Sequence, residues 1–262
     1  LPEFFKLIFA FFFGASVGSF LNVCIHRVPL GLSVAKPPSR CPSCKSQIRF
    51  YDNIPIISYL FLGGKCRRCG SPISFEYPFV EALTAILFVA LYHRFGPGAG
   101  FFVYAVFISA LMAISFIDLH VRIIPNVISI PGIAVGFILS FVLYEPPVRA
   151  LLTSASGIIL GGGALFVVAT GYYYVTGKEG MGGGDVKLLA MVGAFLGWKG
   201  VIFTLMASSL IGSLTGIFLM LFRGKGGKDA IPFGPFLSLG AVLYVFFGEA
   251  AVNWYLSLMF AS

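Results

Sequence analysis

Long uncharged runs of apolar residues, separated by short polar clusters, dominate the chain. Six are unbroken: Leu7–Ile25, Phe95–Ile117, Ile123–Tyr144, Ala150–Gly177, Gly200–Phe222 and Ala230–Gly248. Each is near or above the roughly 18–20 residues that cross a bilayer as a helix. Two further runs carry charge: Tyr77–Tyr92 is interrupted by Glu81, and Met181–Trp198 by Asp185 and Lys187. The pattern predicts an all-α polytopic membrane protein with about eight transmembrane helices. Barrel strands are excluded, because the runs are too long and lipid demands that backbone groups be paired internally. The first run exceeds a signal-peptide core and leads into a basic loop, so it reads as a retained helix.

Composition agrees. Of 262 residues, 58% are hydrophobic and only 11% charged, against about 25% charged in soluble domains; the mean hydropathy is +0.95. With eight spans the loops alternate between two sides, and every basic residue except Lys6, Arg94, Arg149 and Lys199 falls on one of them. The positive-inside rule makes that side cytoplasmic, with both termini outside. The net charge of +8 then follows from topology and membrane lipid headgroups, and no nucleic-acid partner is required. Oligomeric state is not legible.

The longest polar stretch, 27–74, lies between the first two runs and holds "CPSC" and "CRRC". Cys41, Cys44, Cys66 and Cys69 form a C-x2-C-x21-C-x2-C pattern, in which each pair clamps one side of a tetrahedral zinc ion. A loop of this size has little core, so the metal is structural. Two disulfides or a redox pair are the alternatives, disfavoured by a cytoplasmic location. Cys24, in an apolar run, serves packing. The chain accordingly divides into a first transmembrane helix (1–28), a small zinc-binding cytoplasmic domain between helices 1 and 2 (29–76), and a membrane domain (77–262).

Three of the ten acidic residues belong to membrane runs: Glu81, Asp118 and Asp185. An ionised carboxylate at mid-bilayer costs about 2.5–3.5 kcal/mol on insertion scales, which makes such residues functional candidates. Asp118 closes the third span and Asp185 opens the sixth, so span parity puts them at the same side and at similar depth. Two carboxylates about 4 Å apart repel by roughly 4 kcal/mol at an effective dielectric near 20, so the pair holds one proton between them. Such a pair activates water and polarises a peptide carbonyl. Gly182, Gly183 and Gly184 before Asp185 allow unusual backbone conformations and close approach of a substrate strand. A helix starting after them sets Asp185 at its positive end and makes it the base, with Asp118, near a negative end, the acid. Three other readings remain open on spacing alone. The aspartates can pair with Arg122 and Lys187, drive a proton-coupled transporter, or be dispensable in a zinc-domain scaffold.

The ordered set of motifs resembles the type IV prepilin peptidases, members of the GxGD intramembrane aspartyl proteases. "GASVGSFLNVCIHRVP" (Gly14–Pro29), the two cysteine pairs, "ISFEYPFVEALTA" (Ile73–Ala85), "FIDLHVRIIPNVISIP" (Phe116–Pro131), "GMGGGDVKLLAMVGAFLGW" (Gly180–Trp198) and "IPFGPFLSLG" (Ile231–Gly240) carry it through nearly the whole chain. The resemblance implies Asp118 and Asp185 as catalytic, Gly182 and Gly184 as the GxGD glycines, and Glu81 as the second-span glutamate, with a structural or a catalytic role; Glu81 and, from its place beside Asp185, Lys187 are the candidate supporting residues. It implies prepilin or pseudopilin substrates of type IV pili or type II secretion, cleaved after a glycine at the cytoplasmic face of the bacterial inner membrane. It also implies N-methylation of the new amino terminus by S-adenosylmethionine. Glu76 and His120 depart from the family's usual residues beside these motifs.

Overall fold

The computed structural model describes residues 2–178, 182–223 and 231–260. These form eight helices: α1 (Glu3–Arg27), the short α2 (Ile57–Phe61), α3 (Glu76–Phe95), α4 (Ala99–Val121), α5 (Asn126–Leu143), α6 (Pro147–Thr176), α7 (Gly183–Arg223) and α8 (Gly234–Phe260). Among the described residues no strand occurs, and seven helices are long and apolar enough to cross a membrane. The chain is a multi-pass membrane protein.

The difference from eight runs has one cause. α7 spans 41 residues, but Gly197 inside it leaves helical geometry at φ 69° and ψ −175°, a region open essentially to glycine. It separates α7a (183–196) from α7b (198–223), which are the sixth and seventh apolar runs. The sequence pattern places a loop there; the backbone turns on a single residue instead. The carbonyls of α7a's last turn, orphaned by such a break, are met from outside: Ser154 Oγ donates to Ala194 O (2.8 Å) and the Tyr144 hydroxyl to Phe195 O (3.4 Å). Met181, where the sixth run begins, lies outside the described residues.

Contacts divide the chain into two compact units, Leu1–Ala113 and Ile114–Ser262. In the first, α1 and α3 pack antiparallel in steps of one helical turn. A Cβ on Gly14 would come within 2.8 Å of Ala85 Cα, one on Gly18 within 2.7 Å of Glu81 Cα, and Asn22 Nδ2 donates to Tyr77 O (3.0 Å). Backbones meet because no side chain intervenes, the small-residue packing that replaces hydrophobic drive in lipid. Between these helices lies the cysteine segment. Its middle is organised by Arg67, which donates from Nη2 (2.7 Å) and Nε (2.9 Å) to Asp52 and lies 5.6 Å over the Tyr51 ring.

In the second unit α7a is the buried centre: Leu188–Leu196 contains no exposed residue. α6 runs antiparallel to it through Gly157 against Gly193 and Gly161 against Leu189, and α5 runs parallel through Gly132 against Met191 and Gly136 against Phe195. α8 packs antiparallel on α7b, with Gly240 against the backbone of Thr204. Three of these crossings, like that of α1 and α3, are announced by glycines or small residues four apart.

Candidate active site

Asp118 sits in the last turn of α4, which runs on to Val121 beyond the end of its apolar run. Its side chain is buried, 5% exposed, and Oδ2 accepts the backbone N–H of Gly234 at 3.0 Å. That amide belongs to the first residue of α8, whose unpaired amides and positive end face the carboxylate. Both aspartates therefore stand at a helix N-terminus. The helix-end argument, which set Asp185 as base because Asp118 had only a negative end nearby, no longer ranks the pair.

Asp185 lies in the first turn of α7a, its N–H bonded to Gly182 O (3.1 Å). It is close enough to Asp118 for the two carboxylates to interact electrostatically, and it faces the amides of Gly182 and of its own residue. Ile124 closes the space between the segments. A Cβ on Gly184 would come within 2.8 Å of Ile124 Cβ, and one on Gly234 within 3.3 Å of its Cδ1. Span parity is thus realised as proximity. Neither aspartate forms an ion pair among the described residues: Arg122 meets Asp118 only through its backbone N–H (2.9 Å to Asp118 O), and Lys187 Nζ donates to Asn126 Oδ1 (2.8 Å).

The glycines act differently from expectation. None of Gly182, Gly183 and Gly184 has a positive φ, and α7a begins at Gly183, not after Gly184. Close approach is the need that survives, at Gly184 against Ile124.

The site lies in a recess. Because Gly161 pairs with Leu189, Leu165 of α6 is level with Asp185, and α6 continues to Thr176, about 16 Å further at 1.5 Å per residue. By the same measure α7b overshoots the start of α8. A cavity of about 340 Å³ opens there, lined by Ser209, Gly212, Ser213, Ile231, Phe233 and Phe236, the last two flanking Gly234.

Gly234 is a residue that sequence reasoning missed, since a backbone amide leaves no side-chain signature. A Cβ there would fall 2.6 Å from Asp118 Oδ2. The carboxylate is the mobile partner, so the fold absorbs Gly234→Ala by displacing it. A misplacement near 1 Å costs about 10²-fold in rate, so Gly234→Ala lowers turnover by that order while leaving thermal stability unchanged. Gly216→Ala, with open space around it, is the control in the same assay.

Glu81 lies in the other unit. It accepts the Ile56 amide (2.7 Å), so the structure gives it a structural partner.

The four cysteine sulfurs lie within 4.8 Å of one another, and Cys41 and Cys69 Sγ are 3.8 Å apart. Tetrahedral Zn–S bonds of about 2.3 Å place sulfurs roughly 3.8 Å apart, so the set fits zinc. Two matching turns build it. Lys45 N–H bonds Cys41 O and Cys41 N–H bonds Ser46 O; Gly70 N–H bonds Cys66 O and Cys66 N–H bonds Ser71 O. Isolated bridges Arg40–Gln47 and Lys65–Pro72 close both, and Lys45 and Gly70 share a positive φ, 58° and 71°. "RCPSCKSQI" and "KCRRCGSPI" are thus one turn used twice, a repeat visible in the sequence once aligned on its cysteines. The Cys44 amide, with the Ser71 hydroxyl and Ser43 amide, lowers the Cys41 thiol to about 6, favouring the thiolate that binds metal.

Comparison with known proteins gives the family. Residues 12–95 match the bacterial peptidase A24 N-terminal domain, and residues 105–217 match the type IV leader peptidase family. A prepilin leader peptidase/N-methyltransferase of Aeromonas hydrophila is 36% identical over 97% of this chain and 94% of its own length. One from Pseudomonas aeruginosa is 37% identical, over 93% of this chain and 91% of its own. Another, from Myxococcus xanthus, is 40% identical over 87% of this chain and 68% of its own. No solved structure matches the chain.

Proposed function

The chain belongs to the type IV leader peptidase family, and from that premise we propose that it cleaves the leader from prepilins or pseudopilins with Asp118 and Asp185 as its catalytic pair. The observation that carries the reading is the convergence around Ile124 of the segments that hold two carboxylates from different helices, neither in an ion pair among the described residues, on a chain whose relatives bear the peptidase name.

The chemistry follows from one shared proton. The ionised carboxylate takes a proton from water as the oxygen attacks the scissile carbonyl, and the protonated one donates to the carbonyl oxygen. The resulting diol collapses: the C–N bond breaks, the departing amine takes the proton from one carboxyl, and a diol hydroxyl gives its proton to the other, so the pair is left as it began. The Gly234 amide holds Asp118 in place. The recess admits an extended segment, so the apolar helix of the substrate unwinds where its leader begins and is cut after a glycine. The substrate's leader and the cysteine segment are both basic, so recognition rests on packing of the apolar helix rather than on charge attraction.

The amine exposed by cleavage is then methylated, with S-adenosylmethionine as the methyl donor. Zinc on Cys41, Cys44, Cys66 and Cys69 is structural, joining two turns that have almost no apolar core. The cysteine domain (29–76) and both aspartates face the cytoplasm of the bacterial inner membrane, the side that the basic loops select.

Purified protein in lipid, given a prepilin with and without S-adenosylmethionine, tests this directly. The expected products are a leader ending in glycine and a mature chain that gains one methyl mass only when the donor is present. Intact prepilin together with proton-dependent flux in sealed vesicles would replace the peptidase with a transporter.

A further inference from the structure

Glu81 is 8% exposed and stands five residues into α3, a helix of 20 residues. Twenty residues span about 30 Å, the thickness of the hydrocarbon core. The first turn of α3 therefore lies at the membrane boundary, and Glu81 lies about 7 Å inside it. The partner of its Oε2 is the Ile56 amide, 2.7 Å away. Ile56 comes from the polar segment between the cysteine pairs, so that segment reaches the Glu81 carboxylate, which leans from its Cα back toward the boundary.

The backbone at this point is strained. Ile56 has φ 62° and ψ −51°, and Ile57 N–H reaches back to Pro55 O at 2.6 Å. This is a γ-turn of the rare positive-φ kind on a β-branched residue, held only where surroundings determine it. Irregular backbone at membrane depth needs its polar groups paired by protein; Glu81 supplies the acceptor.

α2 starts at the next residue and turns Leu60 and Phe61 outward, 71% and 86% exposed. Tyr59 lies 6.5 Å from Phe75, and Phe75 lies 6.3 Å from Phe79 on α3. Phe75 and Phe79 are themselves exposed, so the outward apolar surface of α3 continues onto α2 without a gap. The exposed charges that follow α2 are basic: Lys65, Arg67 and Arg68.

We propose that the γ-turn and α2 form a membrane wedge: Leu60 and Phe61 sit among the lipid headgroups and upper acyl chains, and Glu81 is the residue that positions them. The occupant of this apolar surface is the bilayer around α3, given the depth of Glu81, the continuity with α3 and the sign of the neighbouring charges. The wedge is independent of proteolysis, and its test reads no activity.

The full chain, with Trp198→Phe and Trp254→Phe removing background, carries Phe61→Trp in nanodiscs containing anionic lipid. Lipids brominated near the headgroup quench the introduced indole roughly twofold or more if it lies 5–10 Å into the boundary. Lys45→Trp, on an exposed cysteine turn, stays unquenched in the same discs. Glu81→Gln keeps an acceptor and keeps the quenching; Glu81→Asp, one methylene shorter, lowers it toward the Lys45→Trp value. Water-like emission without quenching from Phe61→Trp overturns the wedge. So does shielding by an added pilin helix in place of lipid. Undiminished quenching in Glu81→Asp removes Glu81 from it.

Discussion

Replacing Asp118 or Asp185 with asparagine stops cleavage, by on the order of 10³-fold or more, while the protein still inserts, elutes as a folded species and keeps its helical signal. Asparagine preserves shape and can accept the Gly234 amide, but it neither takes nor releases a proton. Each half-reaction needs one carboxylate as base and the other as acid, so the second aspartate has no work to do alone. Groups that act as one unit lose nearly everything at the first substitution, and the double variant is accordingly no worse than either single one. The measurement is leader release from a prepilin by both single variants and the double. Turnover surviving in Asp185→Asn at a tenth of the parent's would remove it from the reacting pair.

Gly193→Val has the largest expected effect on stability. A Cβ at Gly193 would lie 2.0 Å from Gly157 O, and one at Gly157 would lie 2.2 Å from Gly193 O. These neighbours are backbone, which has no rotamer to move. α6 and α7a must separate, and with them the Ser154 bond to Ala194 O that closes the end of α7a. Overpacking costs about 1–3 kcal/mol where side chains can yield; here they cannot, so the upper end applies. At roughly 2–4 °C per kcal/mol for a domain of this size, the melting midpoint in detergent falls by about 6–12 °C. Gly163→Ala, on α6 but with nothing within 4 Å, leaves it in place. Equal midpoints for the two would show that α6 and α7a do not meet there.

What the sequence disclosed, and what it hid, divide by the kind of group involved. Apolar length disclosed the helices, and the solvation cost of charge singled out Glu81, Asp118 and Asp185, of which span parity paired the two aspartates. Cysteine spacing disclosed the cluster of four sulfurs. Partners made of backbone stayed hidden. The amide that holds Asp118 is 116 positions away and belongs to a glycine, and the group that explains Glu81 is the amide of an isoleucine in a polar loop. The break at Gly197 was hidden for a related reason: one residue with φ 69° reverses a helix without the polar cluster that marks an ordinary loop. Glycines four apart at 14/18, 132/136 and 157/161 were legible as helix-contact signals. Which helix each would meet was not, because the partner face is set by the neighbour's own glycines or by exposed backbone.

The two aspartates are held in place by contacts of different kinds. Asp185 rides on a helix gripped by α5 and α6 through contacts in which main chain touches main chain or a buried side chain. Asp118 is tethered through a single amide to the leading residue of α8. A change at the leading residue of α8 is therefore felt directly at Asp118, whereas the footing of Asp185 is shared between two neighbours.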